Sequence, residues 1–111
     1  MYTVSKRMEI AGAHRLDLDY GSKCSNLHGH NWIVTVHCRS AELDRNGMVA
    51  DFKKIKDAVA GRLDHRLLND EVDFNPTAEN LARWIGSLVG PKCFRVDVQE
   101  SEGNIATWEK D

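Results

Sequence analysis

Residues 28–40 leave this chain little choice of local structure. Trp32, Val34, Val36 and Cys38 fall on one parity, and Asn31, Thr35, His37 and Arg39 on the other. A period of two marks a strand whose two faces meet different surroundings. A strand this long needs neighbours in a sheet and a layer over its apolar face. Ile33 is apolar on the second parity, so some cover is expected there too. Residues 2–16 carry a matching pattern, with Val4, Met8 and Ile10 on one face and Gly12 and His14 continuing it.

The rest of the chain supplies the layer. Residues 17–27 read as a polar connection. After Asn46-Gly47, Asp51 is placed to cap a helix in which Phe52, Ile55, Val59 and Leu63 recur at helical spacing. Gly61 weakens it, and its end is expected near Leu68-Asn69. A second helix is expected from Asn75-Pro76-Thr77, with proline in the first turn and Asn75 or Thr77 as cap. Leu81, Trp84, Ile85, Leu88 and Val89 form its stripe, and Gly90-Pro91 stops it. Phe94, Val96 and Val98 alternate as a third strand, with Glu100 on their parity. Residues 101–104 turn the chain, and Ile105 to Trp108 make a fourth strand. The order β-β-α-α-β-β predicts an α+β fold, a four-stranded antiparallel sheet with two helices on one face, as a single domain over 1–111.

Composition narrows the function classes. With 15 Lys+Arg against 17 Asp+Glu, the net charge is -2, and no basic excess points to nucleic acid. No apolar run approaches a membrane span. The start, MYTVSKRMEI, has no signal-peptide core, which gives an expectation of a cytoplasmic protein. Cys24, Cys38 and Cys93 are odd in number and form no Cys-x-x-Cys pair, which argues against a disulfide framework or a zinc ribbon. Cys38 and Cys93 read as small core hydrophobes. Cys24 lies in a polar loop beside Lys23, the setting of a candidate thiolate.

The histidines are the sharpest local signal. In a strand, His28 and His30 point to the same side. If the first two strands pair antiparallel, the end of one meets the start of the other, and His14 joins them. Three imidazoles suit a catalytic zinc with an open fourth position, though iron or nickel fit the same donors. A lone His-x-His is often two surface histidines; the third, at the right topological place, tips the reading to metal. His37, of opposite parity, reads as a non-ligand.

The blocks Ala13-His14-Arg15-Leu16 and Cys24-Ser25-Asn26-Leu27-His28-Gly29-His30-Asn31 resemble the 6-pyruvoyl-tetrahydropterin and 6-carboxytetrahydropterin synthase family. Residues 47–52 (GMVADF), 63–69 (LDHRLLN), 76–80 (PTAEN) and 96–101 (VDVQES) agree in order, so the resemblance spans nearly the whole chain. It implies the tunnelling fold, and zinc held by His14, His28 and His30. It implies Cys24 as catalytic base, Asp64 and His65 as its acid/base partners, and Glu100 as the pterin anchor, with Thr77 and Glu79 near the ring. It implies a hexamer, a dimer of trimers, with active sites between subunits. Three residues separate Cys24 from His28, which resembles the bacterial 6-carboxytetrahydropterin synthases of queuosine biosynthesis. The animal pyruvoyl enzymes carry a longer insertion there. Ile10 and Gly12 stand where the family usually has Phe and Ala, and Ser101 where it has Thr. Gly12 is expected to loosen the packing beside the first ligand.

The implied reaction converts 7,8-dihydroneopterin triphosphate to 6-carboxytetrahydropterin, with loss of triphosphate and acetaldehyde. The alternatives are 6-pyruvoyl-tetrahydropterin synthesis and a non-catalytic zinc-stabilised oligomeric module. A thiolate near a metal suits a base at neutral pH, and histidine suits a proton shuttle. Glu100 ends an apolar strand face, where a carboxylate needs a partner, and a pterin offers adjacent N–H and NH2 donors to it. The plainer readings are a helix-end polar pair for Asp64-His65 and helix-start capping for Thr77 and Glu79. Arg15, Lys23 and Arg66 are weak candidates for the triphosphate. Trp32, Trp84 and Trp108 read as packing.

Overall fold

The computed structural model describes residues 1–111. Two strands, β1 (Tyr2–His14) and β2 (His28–Ser40), set its frame. They pair antiparallel from Tyr2↔Ser40 to His14↔His28 without a register shift. Next come α1 (Phe52–Leu63), β3 (Arg66–Leu67), α2 (Leu68–Glu71), α3 (Ala78–Val89), β4 (Cys93–Ser101) and β5 (Asn104–Glu109). The order across the sheet is β3-β1-β2-β4-β5. The tunnelling fold and its α+β class are therefore present, with two additions. β3 makes a fifth strand, parallel to β1 at Gly12 and Ala13, so the sheet is mixed. α2 adds a single helical turn. Neither is long enough to write a period into the sequence.

The same region corrects the end of the first helix. Asp64 closes α1, its N–H donating to the Ala60 carbonyl, and His65 follows at φ 58°, in the left-handed region. The apolar pair Leu67-Leu68 reads as more of the helix stripe, but Leu68 is buried beside Gly12 instead. Pro76 also lies one step earlier than expected, just before the cap of α3 rather than in its first turn. Thr77 is that cap, its hydroxyl accepting the Asn80 N–H at 3.1 Å.

The alternation is borne out. Met8, Ile10, Trp32, Val34, Val36, Cys38, Val96 and Val98 are buried on one sheet face, under Ile55, Val59 and Leu63 of α1 and Leu81, Ala82 and Ile85 of α3. Each fully buried Val, Ile or Leu contributes about 1.5–3 kcal/mol. Gly86 lets α3 lie flat on β5, since a Cβ there would collide with the Trp108 ring. Gly12 does not loosen its surroundings. A Cβ there would stand 3.2 Å from Leu68 Cδ2 and 3.3 Å from Trp32 Nε1, so those side chains have taken the space.

The other face carries no helix and is laced by polar contacts. Ser5 donates to His37 Nδ1 at 2.7 Å, and His37 Nε2 donates to Asp97 at 2.8 Å. Thr107 and Arg95 donate to the other Asp97 oxygen at 2.7 and 3.1 Å. His37 thus ties strands together, away from the imidazole group. No helix is long and apolar enough to cross a membrane.

Candidate active site and metal centre

The antiparallel register of β1 and β2 does the first positioning. His14 is the strand partner of His28, and Gly12 of His30, so three imidazoles meet at one end of the buried face. One ligand atom from each lies within 4.8 Å of the others. Their rings are edge-on, with centroids 4.5–5.2 Å apart. Trp32 packs edge-on against both His14 and His30, and its indole N–H donates to the Gly12 carbonyl at 3.1 Å.

Backbone carbonyls fix two of the rings. His14 Nδ1 donates to Pro76 at 2.9 Å, and His28 Nδ1 to Asn26 at 2.7 Å. A proton held on Nδ1 leaves the Nε2 lone pair for a metal, the usual outer-sphere arrangement for a histidine ligand. Nε2 of His14 and of His30 are buried with no hydrogen-bond partner. Buried polar atoms without partners are rare and costly, and a metal ion would satisfy both. Burial holds the His14 and His30 imidazoles below their ordinary value, outweighing the nearby Glu100 charge and, for His14, the Pro76 bond. The neutral form is the one that ligates. The donor set fits the implied metal.

Glu100 closes the constellation. Its carboxylate lies 3.8 Å from His14 Nε2 and 3.7 Å from His30 Nε2. It also lines a groove of about 450 Å³ with Ala78, Glu79, Asn104 and Thr107. An imidazole cluster and a ligand-sized groove thus share one carboxylate.

Residues 3–111 match the family model for 6-pyruvoyl tetrahydropterin synthase. The chain belongs to the 6-pyruvoyl tetrahydropterin synthase family. A 6-carboxy-5,6,7,8-tetrahydropterin synthase of Bacillus subtilis is 33% identical over 116 residues, covering 90% of this chain and 80% of that protein. One from Rickettsia bellii is 30% identical, covering 85% and 84%. Among solved structures, the Caenorhabditis elegans 6-pyruvoyl tetrahydropterin synthase superposes with a TM-score of 0.78 at 30% identity, covering 99% of this chain and 96% of that one.

Of the residues that the family resemblance implies, one chain brings some into contact and leaves others without a bond to them. His14, His28, His30 and Glu100 come together, and Glu79 lines the same groove as Glu100. Cys24 does not join them. It sits exposed in a single 3-10 turn, Lys23–Ser25, capped by Ser22. Asp64 and His65 are tied to the outer edge of β1. Asp64 accepts the Ala11 N–H at 2.9 Å, and the His65 N–H donates to the Ala11 carbonyl at 2.7 Å. The His65 ring is exposed, 3.7 Å from the Asp64 carboxylate, and lines a shallow cavity together with His30, Asn31 and Arg66. No hydrogen bond or ion pair links Cys24, Asp64 or His65 to the imidazole cluster. The Thr77 hydroxyl is engaged in capping. Arg66 pairs with Glu71 at 2.9 Å.

Several positioning groups escape a reading by residue type. Asn69 exchanges two hydrogen bonds with the Arg15 backbone, at 2.9 and 3.0 Å, and Asn75 does the same with Asp17, at 2.8 and 3.0 Å. These amides replace a strand partner and carry the order of β1 past His14 toward Cys24. Asn80 holds the Asn75 carbonyl at 3.0 Å. Their only sequence signal is asparagine at or near helix starts, Asn69 in α2, Asn75 before α3 and Asn80 in its first turn.

Proposed function

We propose that this chain is a zinc-dependent 6-carboxytetrahydropterin synthase that converts 7,8-dihydroneopterin triphosphate to 6-carboxytetrahydropterin, releasing acetaldehyde and triphosphate, in queuosine biosynthesis. The observation that carries the reading is the pair of buried, partnerless Nε2 atoms of His14 and His30, with His28 beside them and the Glu100 carboxylate at the lip of a groove. The three-residue spacing from Cys24 to His28 and the names of the bacterial relatives support the carboxy product.

His14, His28 and His30 would hold the zinc, which when bound supplies Lewis acidity toward the side-chain hydroxyls of the substrate. Glu100 accepts the pterin's adjacent N–H and NH2 donors, with Thr77 and Glu79 beside the ring. Cys24 takes a proton from the pterin side chain as a thiolate, and His65, oriented by Asp64, returns one. Cations rather than the overall field must attract the triphosphate, since the net charge is -2.

The absence of any hydrogen bond or ion pair from Cys24, Asp64 or His65 to the imidazole cluster supports a site completed by neighbours. β3 covers β1 only at Gly12 and Ala13, and β5 has no outer partner, so both sheet edges are bare. Bare edges invite pairing, and a closed ring of subunits removes them. The reading is a hexamer, a dimer of trimers, in the cytoplasm. A monodisperse monomer by light scattering would contradict it.

The C. elegans neighbour's name favours a second reading, a pyruvoyl product. Mass spectrometry of the pterin formed from dihydroneopterin triphosphate with zinc present separates the two. A carboxy product with acetaldehyde supports the proposal. A pyruvoyl product supports the second reading, and no product would leave the zinc-stabilised module.

A further inference from the structure

The end of the sheet away from the imidazoles holds a second pair of reactive side chains. Cys38 of β2 and Cys93 of β4 are direct strand partners at a break in the β2–β4 register. Cys38 is four pleats along the same face from His30, about 26 Å at the usual rise per residue. Both thiols are buried, each residue 1% exposed. Directly opposed residues on antiparallel strands have Cα atoms about 4.5–5.5 Å apart, inside the roughly 4.4–6.8 Å that a disulfide spans. The register therefore brings these thiols together without requiring the backbone to move.

The Cys93 S–H donates to the Arg95 carbonyl at 3.6 Å. A route in exists. A cavity of about 450 Å³ is lined by Cys38, Ala50, Ile55 and Val89, with Lys54, Lys92 and Asp51 among its walls; Asp51 caps α1 and Lys92 Nζ donates to the Val49 carbonyl at 3.1 Å. Two ammonium groups against one carboxylate leave the cavity wall net positive, which suits a small molecule that carries carboxylates.

We propose that Cys38 and Cys93 form a dithiol site that reduces low-molecular-weight disulfides of the glutathione type entering this cavity, closing to an intramolecular disulfide. Cys38 Sγ, which lines the cavity, loses its proton to solvent and attacks one sulfur of the incoming disulfide. The S–S bond breaks, and one glutathione thiolate leaves, taking a proton from water. Cys93 then loses its proton to solvent and attacks the Cys38 sulfur. The mixed disulfide breaks, and the second thiolate leaves and is protonated. Two protein thiols are oxidised and one glutathione disulfide is reduced to two thiols. The site lies outside the metal and pterin groups and does not depend on the proposed reaction.

The test uses the folded chain carrying Cys24→Ala, so that only this pair can react. It is incubated with glutathione disulfide, quenched in acid, denatured and alkylated. The expected result is loss of both alkylatable thiols, a chain lighter by two hydrogens, and a peptide joining the Cys38 and Cys93 segments. Zinc content should be unchanged. Two alkylated thiols, a stable glutathione adduct, or closure only after denaturant is added would each overturn the proposal. Cys93→Ala in the same background should stop at the mixed disulfide on Cys38. If that variant is poorly folded, phenylarsine oxide, which bridges close dithiols, serves with the Cys24→Ala chain. Failure of the arsenical to protect both thiols from alkylation also counts against the site.

Discussion

His14 Nδ1 donates a 2.9 Å hydrogen bond to the carbonyl oxygen of Pro76, 62 residues later in the chain. The contact joins the end of β1 to the start of α3 and aims Nε2 at the other imidazoles. The carbonyl, not the proline ring, makes the contact, so two substitutions should separate. His14→Ala removes a ligand, and both zinc content and turnover should be lost. Pro76→Ala keeps the carbonyl but frees the loop. Loss of a rigid turn residue costs about 0.4–1 kcal/mol of stability, and zinc affinity should fall by less than the roughly 10–100-fold seen when an outer-sphere partner is removed. Metal analysis of both purified variants checks this. Full zinc in His14→Ala would remove His14 from the ligand set.

Cys24 stands outside the imidazole group in an exposed turn. A base and a ligand respond differently to deletion. Cys24→Ala should bind zinc in full while turnover falls by roughly 10²–10⁴-fold, the usual range for general-base loss. Zinc analysis and a pterin assay on the same preparation decide it. Turnover near the unsubstituted level would end the base assignment.

Asn69 and Asn75 each make a two-bond clamp on the backbone that follows His14. Each alanine substitution should cost about 1–3 kcal/mol in a denaturant melt. The clamped segment leads to the Cys24 turn, where the Leu16 N–H meets the Cys24 carbonyl at 2.9 Å. Turnover should therefore fall further than zinc content. Equal losses in both would mean that the clamps serve stability alone.

These residues show what a single sequence carries and what it withholds. The parity of His14, His28 and His30 is a local property, and antiparallel pairing converts it directly into a metal-sized cluster. The same holds for the apolar face from Trp32 to Cys38. Arg66–Leu67 is too short to show a period, and its pairing with Gly12 and Ala13 depends on the turn at His65. Carbonyl partners such as Pro76 and Asn26 leave no trace in residue type, because every residue has a carbonyl. Gly12 misleads for a related reason, since its effect depends on Leu68 and Trp32 arriving from elsewhere. That Cys24, Asp64 and His65 make no hydrogen bond or ion pair to the imidazoles could not be read from motif order, which says nothing about which residues one chain can bring together.

Asp97 supplies the pH prediction. Burial works to raise its carboxyl, but hydrogen bonds from Thr107, His37 and Arg95 outweigh it and hold the group below the usual carboxylate value. The folded value is therefore lower than the unfolded one, which is about 3.9. The carboxylate's contribution is present above that unfolded value and is lost as pH falls through the folded one. Asp97→Asn removes the charge that gathers three donors from β2, β4 and β5, and should cost about 1–3 kcal/mol at pH 7. As the wild-type carboxyl protonates, the two proteins should converge, and urea melts at pH 7 and near pH 3 would show the gap narrowing. A gap of constant size at both pH values would mean that the stabilisation comes from shape and neutral hydrogen bonding rather than from the carboxylate charge.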